Sequence, residues 1–377
     1  MDTTAFLRWL HSIMAGSGSG TRKRIIRFRH RKDYLQFIQA SSKSTQTRPL
    51  LQSVKHLPLI QAISCPLPDT GILPYLGDRI WVEDDRPLNV HSILKKSAAV
   101  DKGIPWGVKQ IKAPLAWSQT TGHRIKVGVI DTGVDFNHPD LRHSLSRGIN
   151  LLSRGMLPYD DNGHGTHIAG TIAAANQLHG MIGVAPRSTI YPVKAFDYNG
   201  SAYVSDIILG IEWCVRNQIH VINMSFGMKT RSRALLNAVI NAYNAGVVIV
   251  ASAGNDGNRK SVDYPARYPQ TLSVGATTRL RRIAPFSNRG SDIDIYAPGD
   301  KIVSGWLRGH YNEMSGTSMA TSHVSGAIAL LLARHPAMSP ADIKATLRRS
   351  MRPLRGTKAP RSTGELDILK MLQAADR

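Results

Sequence analysis

The chain has 377 residues, 42% of them hydrophobic, which is enough to bury one large core and a smaller one. No apolar run approaches the roughly 20 residues needed to cross a bilayer, so no membrane-spanning segment is expected. The formal net charge of +22 would suit an acidic partner, but it is spread along the chain, and nucleic-acid binding is not expected.

Residues 1–21 read as a flexible N-terminal segment. The amphipathic stretch Ala5 to Met14 is interrupted by Arg8 and His11 and makes a poor secretory leader, and Gly16-Ser17-Gly18-Ser19-Gly20 is a linker by composition. Arg24 to Arg29 alternates like a strand with a basic outer face, and Tyr34, Leu35 and Ile38 follow at helical spacing. Leu50 to Leu67 gives two strands around His56-Leu57-Pro58, Asp69 to Leu76 a short helix, and Arg79 to Glu83 a last strand. Residues 22–86 are thus a small α+β unit of order β-α-β-β-α-β. Residues 87–103 turn polar and read as an exposed linker, where proteolytic nicking concentrates. The two cysteines, Cys65 and Cys214, fall on opposite sides of it and build no disulfide framework.

From Ile104 to the end, apolar strands and helices alternate. Runs such as Val247-Val248-Ile249-Val250 suit a parallel sheet covered on both faces, so 104–377 should be a doubly wound α/β domain. In such sheets ligands bind at the carboxyl ends of strands. Four residues stand there or at helix starts. Asp131 ends the strand Lys126 to Ile130; His164 lies between two glycines ahead of a helix; Asn255 follows Gly254 after the strand Val247 to Ala251; Ser318 opens the buried helix that runs to Arg334. Each has a plainer reading: a turn residue for Asp131 and Asn255, an N-cap for Ser318. His167 competes with His164 but reads as a packed side chain, and the pair at i, i+3 is a weak zinc signal. Jointly the four supply a nucleophile, a base, an orienting carboxylate and an oxyanion donor, the parts of acyl transfer.

The segments Asp131-Thr132-Gly133-Val134-Asp135, Asn137-His138-Pro139-Asp140-Leu141, Gly163-His164-Gly165-Thr166-His167, Ile222-Asn223-Met224-Ser225-Phe226-Gly227, Ala253-Gly254-Asn255 and Gly316-Thr317-Ser318-Met319-Ala320 occur in that order. In this the chain resembles a subtilisin-like serine protease (a subtilase) with an inhibitory, chaperone prodomain. The resemblance implies a subtilisin-like α/β fold preceded by a ferredoxin-like prodomain. It also implies a self-processing zymogen with broad endopeptidase activity on protein substrates, monomeric after maturation. A narrow processing protease and a catalytically silent binding protein on the same fold are the alternatives. Ser318 would be the nucleophile, His164 the general base and Asp131 its orienting partner; Asn255 and the Ser318 N–H would hold the oxyanion. Substrate would pair between Ser201-Ala202-Tyr203 and Ser225-Phe226-Gly227, near Gly254. A structural Ca²⁺ is implied at Asp140, Gln177 and the carbonyls of Ala175, His179 and Met181, although Lys102 would oppose it. Ser322 stands where the family has proline, Val204 where it has an outer-subsite tyrosine, and Asp256 borders the presumed S1 wall, where it could favour a basic side chain. Maturation cleavage should fall between Leu88 and Lys102. The family is mostly secreted while the leader is weak, so the compartment is left open.

Overall fold

The computed structural model describes residues 3–15, 21–43, 53–68, 78–91, 94–97, 103–176, 180–259, 261–356 and 363–377. Among them no helix is long and apolar enough to cross a membrane.

The N-terminal unit comprises α1 (Thr3–Ala15), β1 (Thr21–Phe28), α2 (Arg31–Lys43), β2 (Lys55–Leu57), β3 (Ala62–Pro68) and β4 (Ile80–Asp84). Its strands form an antiparallel sheet in the ferredoxin-like order β2–β3–β1–β4. The helix expected at Asp69 to Leu76 lies outside the described residues. Helix α1 corrects the expectation of a flexible start. Leu7, Leu10 and Met14 repeat at helical spacing and, with Phe6, are buried against Phe28 and Phe37, each side chain contributing about 1.5–3 kcal/mol. Arg8 and His11, which seemed to break the pattern, fall on the other side of the helix.

Both faces of this sheet are covered. Ile26, Phe28, Ile63, Cys65 and Leu67 face the unit's own helices. Ile25, Leu57, Ile60 and Ala62 instead join the core of the following domain. The strand expected to show a basic face to solvent is therefore a docking strand.

Residues 87–103, expected as an exposed linker, contain β5 (Pro87–Val90) and β6 (Leu94–Ser97). Beyond them come α3 (Trp106–Gln110), α4 (Ala113–Ala116), β7 (Lys126–Asp131), β8 (Ile149–Asn150), α5 (His164–Ala173) and β9 (Thr189–Lys194). The middle of the domain holds β10 (Ser201–Tyr203), α6 (Val204–Arg216), β11 (Val221–Met224), β12 (Phe226–Gly227), α7 (Arg233–Asn244) and β13 (Val248–Ser252). The last part holds β14 (Leu272–Thr277), β15 (Ile295–Pro298), β16 (Ile302–Gly305), β17 (Tyr311–Ser315), α8 (Thr317–Arg334), α9 (Pro340–Ser350), β18 (Arg352–Pro353), β19 (Gly364–Glu365) and α10 (Ile368–Ala375).

Nine strands make the central sheet, in the order β18–β19–β15–β14–β13–β11–β7–β9–β8, parallel except for the β18–β19 pair. Successive residues of one strand feed opposite cores: Val248 and Val250 pack on the α5 and α8 side, Ile249 and Ala251 on the α6 and α7 side. Helix α8 is buried almost all round, from Thr317 to Leu332. Its first turn is consequently held on all sides, and Ser318 sits in that turn.

Candidate active site

Strand β7 ends in Asp131, which is fully buried. Its Oδ1 accepts from the Thr132 N–H at 2.8 Å and from His164 Nδ1 at 2.7 Å. With Nδ1–H committed to the carboxylate, Nε2 of His164 is the free acceptor, and it is buried without a partner among the described residues.

The first turn of α5 is positioned by a residue the sequence reading passed over. Asp160 takes the Thr132 hydroxyl and the N–H groups of Asn162 and Gly163 on Oδ1, and the N–H and hydroxyl of Thr166 on Oδ2, all within 2.6–2.9 Å. It ties the strand carrying Asp131 to the helix carrying His164. An Asp a few residues before a helix start, ahead of Asn-Gly, is a recognisable capping signal. Gly165 allows the close approach, since a Cβ there would lie 2.1 Å from the Gly133 carbonyl oxygen.

His167 lies on the same helix with Nε2 3.0 Å from the Ile302 carbonyl oxygen. Burial drives its pKa down to about 3, so it is a neutral donor. Burial likewise takes His323 to about 4, with Nδ1 2.7 Å from the Met319 carbonyl oxygen. Ser322, in place of proline, donates its hydroxyl to that same carbonyl at 2.7 Å. The start of α8 is unbroken.

Around Ser318 the chain meets itself. Strand β5 lies antiparallel between β10 and β12, with Leu88 opposite Ala202, Asn89 opposite Ser201 and Gly227, and Val90 opposite Phe226. Beyond it, the His91 N–H donates to the Ser225 carbonyl at 3.0 Å, and the His91 carbonyl oxygen lies 2.6 Å from Ser318 Oγ. Ser318 Oγ is also 2.8 Å from the Ser225 carbonyl oxygen. Asn255 fixes the turn before α8 by accepting the Thr317 N–H and hydroxyl on Oδ1, both at 2.9 Å. Its Nδ2 is buried with no partner among the described residues. A Cβ on Gly316 would lie 2.7 Å from the His91 carbonyl oxygen and 3.2 Å from Asn255 Nδ2, so these two atoms flank one small space.

The His91 side chain enters a slot walled by Gly227 and Gly254. Its Nε2 is 3.1 Å from Asp263 Oδ2 and its Nδ1 2.8 Å from Ser252 Oγ. Asp256, the acid singled out from the sequence, instead pairs with Lys229 at the rim, and Lys229 also reaches Asp263 Oδ1 at 3.1 Å. Burial opposes charge on Asp263, but His91 and Lys229 outweigh it and hold the carboxyl below its usual range. Val204 is fully buried at the start of α6 and, with Leu88 and Ala202, lines the core beneath β5.

The Subtilase family matches residues 122–365. The chain belongs to this family. This subtilase is 47% identical over 248 residues to a subtilisin of Bacillus pumilus, a match covering 64% of the chain and 90% of that protein. It is 38% identical over 337 residues to subtilisin E of Bacillus subtilis (strain 168), covering 88% and 85%. That second match is longer than residues 104–377 and so reaches into the N-terminal unit. The protein is therefore a serine endopeptidase, a hydrolase of peptide bonds.

Of the expected calcium ligands in this subtilase, Asp140 is already engaged by hydrogen-bond donors. Asp140 is buried, and its carboxylate accepts from Asn176 Nδ2 at 2.8 Å, the Met181 N–H at 3.0 Å and the Tyr311 hydroxyl at 2.7 Å. Burial and that carboxylate push the Tyr311 hydroxyl pKa up, keeping it a donor. The Met181 carbonyl accepts the Asn176 N–H at 3.2 Å, and the Ala175 N–H donates to the Asp140 carbonyl at 2.9 Å. Hydrogen-bond donors thus crowd the carboxylate a cation would need. Gln177, His179 and Lys102 lie outside the described residues, among which no three His, Cys, Asp or Glu side chains gather to hold a metal.

Proposed function

We propose that this subtilase is made as a zymogen in which residues 22–86 act as an inhibitory prodomain and Ser318 is the nucleophile of residues 104–377. The observation that carries the reading is β5, seated as a third strand between β10 and β12, with the carbonyl after it on Ser318 Oγ. That is the position of the acyl half of a substrate.

In the structure Ser318 Oγ bonds the His91 and Ser225 carbonyls and His164 Nε2 is unpartnered among the described residues, so the hydroxyl first turns from those carbonyls to Nε2. The Ser318 hydroxyl proton passes to His164 Nε2 as Oγ bonds to the carbonyl carbon, and Asp131 stabilises the resulting imidazolium through Nδ1–H. The oxyanion takes the Ser318 N–H and Asn255 Nδ2. Nε2 then returns the proton to the leaving amine, the C–N bond breaks, and water repeats the sequence on the ester to release the acid. Strand pairing through the backbone leaves the second and third residues before the cut little restricted, which supports broad specificity there.

Contacts from the prodomain support inhibition in cis. Glu83 caps α7, accepting the Ser232 hydroxyl at 2.6 Å and the N–H groups of Arg233 and Ala234 at 3.0 and 3.1 Å. Asp85 accepts the Ser205 N–H in the first turn of α6 at 2.9 Å. Anions at helix N-termini are favourable.

The test compares wild type with Ser318→Ala by intact mass and casein hydrolysis. Wild type should shed the N-terminal unit and digest casein, while Ser318→Ala stays full length and inert. Processing of Ser318→Ala at the wild-type rate would overturn the reading.

A further inference from the structure

Resting on the reading of Ser318 as nucleophile, we propose that this subtilase cleaves after cationic side chains, that Asp263 selects them, and that the bond cut in its own chain is His91–Ser92. The carbonyl on Ser318 belongs to His91, so the His91 side chain marks the pocket for the residue before the cut.

That pocket is built around a carboxylate. Asp263 lies at its closed end, its side chain only 5% exposed and the His91 side chain 11%. The walls are shaped to let the two meet. A Cβ on Gly227 would lie 2.4 Å from His91 Cε1 and 2.9 Å from Asp263 Cβ, and one on Gly254 would lie 2.6 Å from Asp263 Oδ2. The backbone that carries the carboxylate is fixed, because the Asp263 N–H donates to the Ala253 carbonyl at 3.0 Å and the Asp263 carbonyl accepts the Arg267 N–H at 3.0 Å, while His91 and Lys229 engage one carboxylate oxygen each.

Charge counting gives the sign of the preference. Lys229 is shared by Asp256 and Asp263, so two carboxylates face one ammonium. One negative charge is left over. Asp256 and Lys229 are more than half exposed and screened by water, whereas Asp263 is enclosed, so the unbalanced charge matters most at the pocket's end. A cation completes that balance, with Ser252 Oγ as a second polar contact. An apolar side chain would leave the buried carboxylate with Lys229 alone and strip its water. Sites built for a polar partner discriminate steeply against groups that lack it. Lys229 softens the penalty, and the expected discrimination is about 100-fold.

Peptides Leu-Asn-Val-X bearing a C-terminal chromogenic amide, with X as Arg, Lys, His, Phe or Leu, are compared for wild type, Asp263→Asn and Asp263→Gly, each normalised by active-site titration with a fluorophosphonate. The best cationic X should exceed Phe and Leu by about 100-fold in kcat/KM for wild type, and Asp263→Gly should reverse the order by losing the cations and gaining Phe. The mature chain should begin at Ser92 by intact mass. Equal or better cleavage after Phe or Leu by wild type overturns the proposal while leaving the nucleophile standing, and a mature chain beginning elsewhere overturns the assigned bond. Should neither variant fold, the wild-type ranking alone decides. Hydrolysis of none of the peptides, with no fluorophosphonate uptake, would instead fail the reading of Ser318.

Discussion

Lowering the pH from 7.5 to 5 should destabilise this protein by about 4 kcal/mol through two histidines remote from any substrate. His167 and His323 are fully buried, and burial lowers them from 6.5 to about 3 and about 4. The folded-state values are depressed, so between pH 6.5 and 4 the unfolded chain binds protons that the native state refuses. Stability therefore rises with pH across that window and is lost as the pH falls. With an unfolded value of 6.5, each histidine costs about 1 kcal/mol at pH 6 and about 2 at pH 5. The assay is urea unfolding at pH 7.5, 6 and 5 in the Ser318→Ala background, which prevents self-digestion, followed by His167→Gln and His323→Gln. Each substitution should remove about half of the pH-dependent fall, whatever it does to stability at pH 7.5. The net charge of +22 also strains the fold in acid, but that contribution survives both substitutions. A fall below about 1 kcal/mol, or one unchanged in both variants, would refute the reasoning.

Two further outcomes follow from the site. Asn255→Ala removes the buried, unpartnered Nδ2 and should lower kcat by about 10²–10³, the loss this donor carries in subtilisins, with KM within about 3-fold; a kcat loss below 10-fold would sink its role as oxyanion donor. Chelation with EDTA should move the melting temperature by less than about 2 °C, because hydrogen-bond donors occupy Asp140; a rise above about 5 °C on adding millimolar Ca²⁺ would show that a cation displaces them.

The central sheet was readable because its strands are buried on both faces and so appear as unbroken β-branched runs, each followed by a turn. Asp131 and Asn255 could be placed at those ends, and Ser318 at the start of a buried helix, without any knowledge of what they face. Strand β5 was not readable. Pro87-Leu88-Asn89-Val90 has no period of its own, and it is a strand only because β10 and β12, over a hundred residues away, offer two open edges. Helix α1 was missed for a different reason. Its apolar stripe is interrupted in sequence but continuous on the cylinder, and its partners Phe28 and Phe37 lie on separate elements. Asp263 had no signal at all: an Asp before Tyr-Pro reads as a turn, and only the three-dimensional meeting with His91 gives it meaning. Asp256 follows the recognisable Ala253-Gly254-Asn255 at the presumed S1 wall, yet its side chain lies at the rim with Lys229.

The arrangement around β5 also bears on why a chain seated as substrate could act as an inhibitor. Seven residues run from Asp85, tied to the start of α6, to His91, tied to Ser318 and Asp263, and between them Leu88 is buried while the backbone pairs on both sides. In the proposed scheme, cutting His91–Ser92 frees only the departing strand. The acyl half stays anchored by Asp85, by the two flanking strands and by the Ile25, Leu57, Ile60 and Ala62 face packed on the catalytic core. None of those contacts depends on the scissile bond. Cleavage and release are thus separate events: the first needs only Ser318 with His164, Asp131 and Asn255, and the second needs the docked sheet itself to leave or be destroyed. A cationic preference adds to this, because His91 keeps its pairing with Asp263 after the cut and occupies the pocket that any incoming substrate must use.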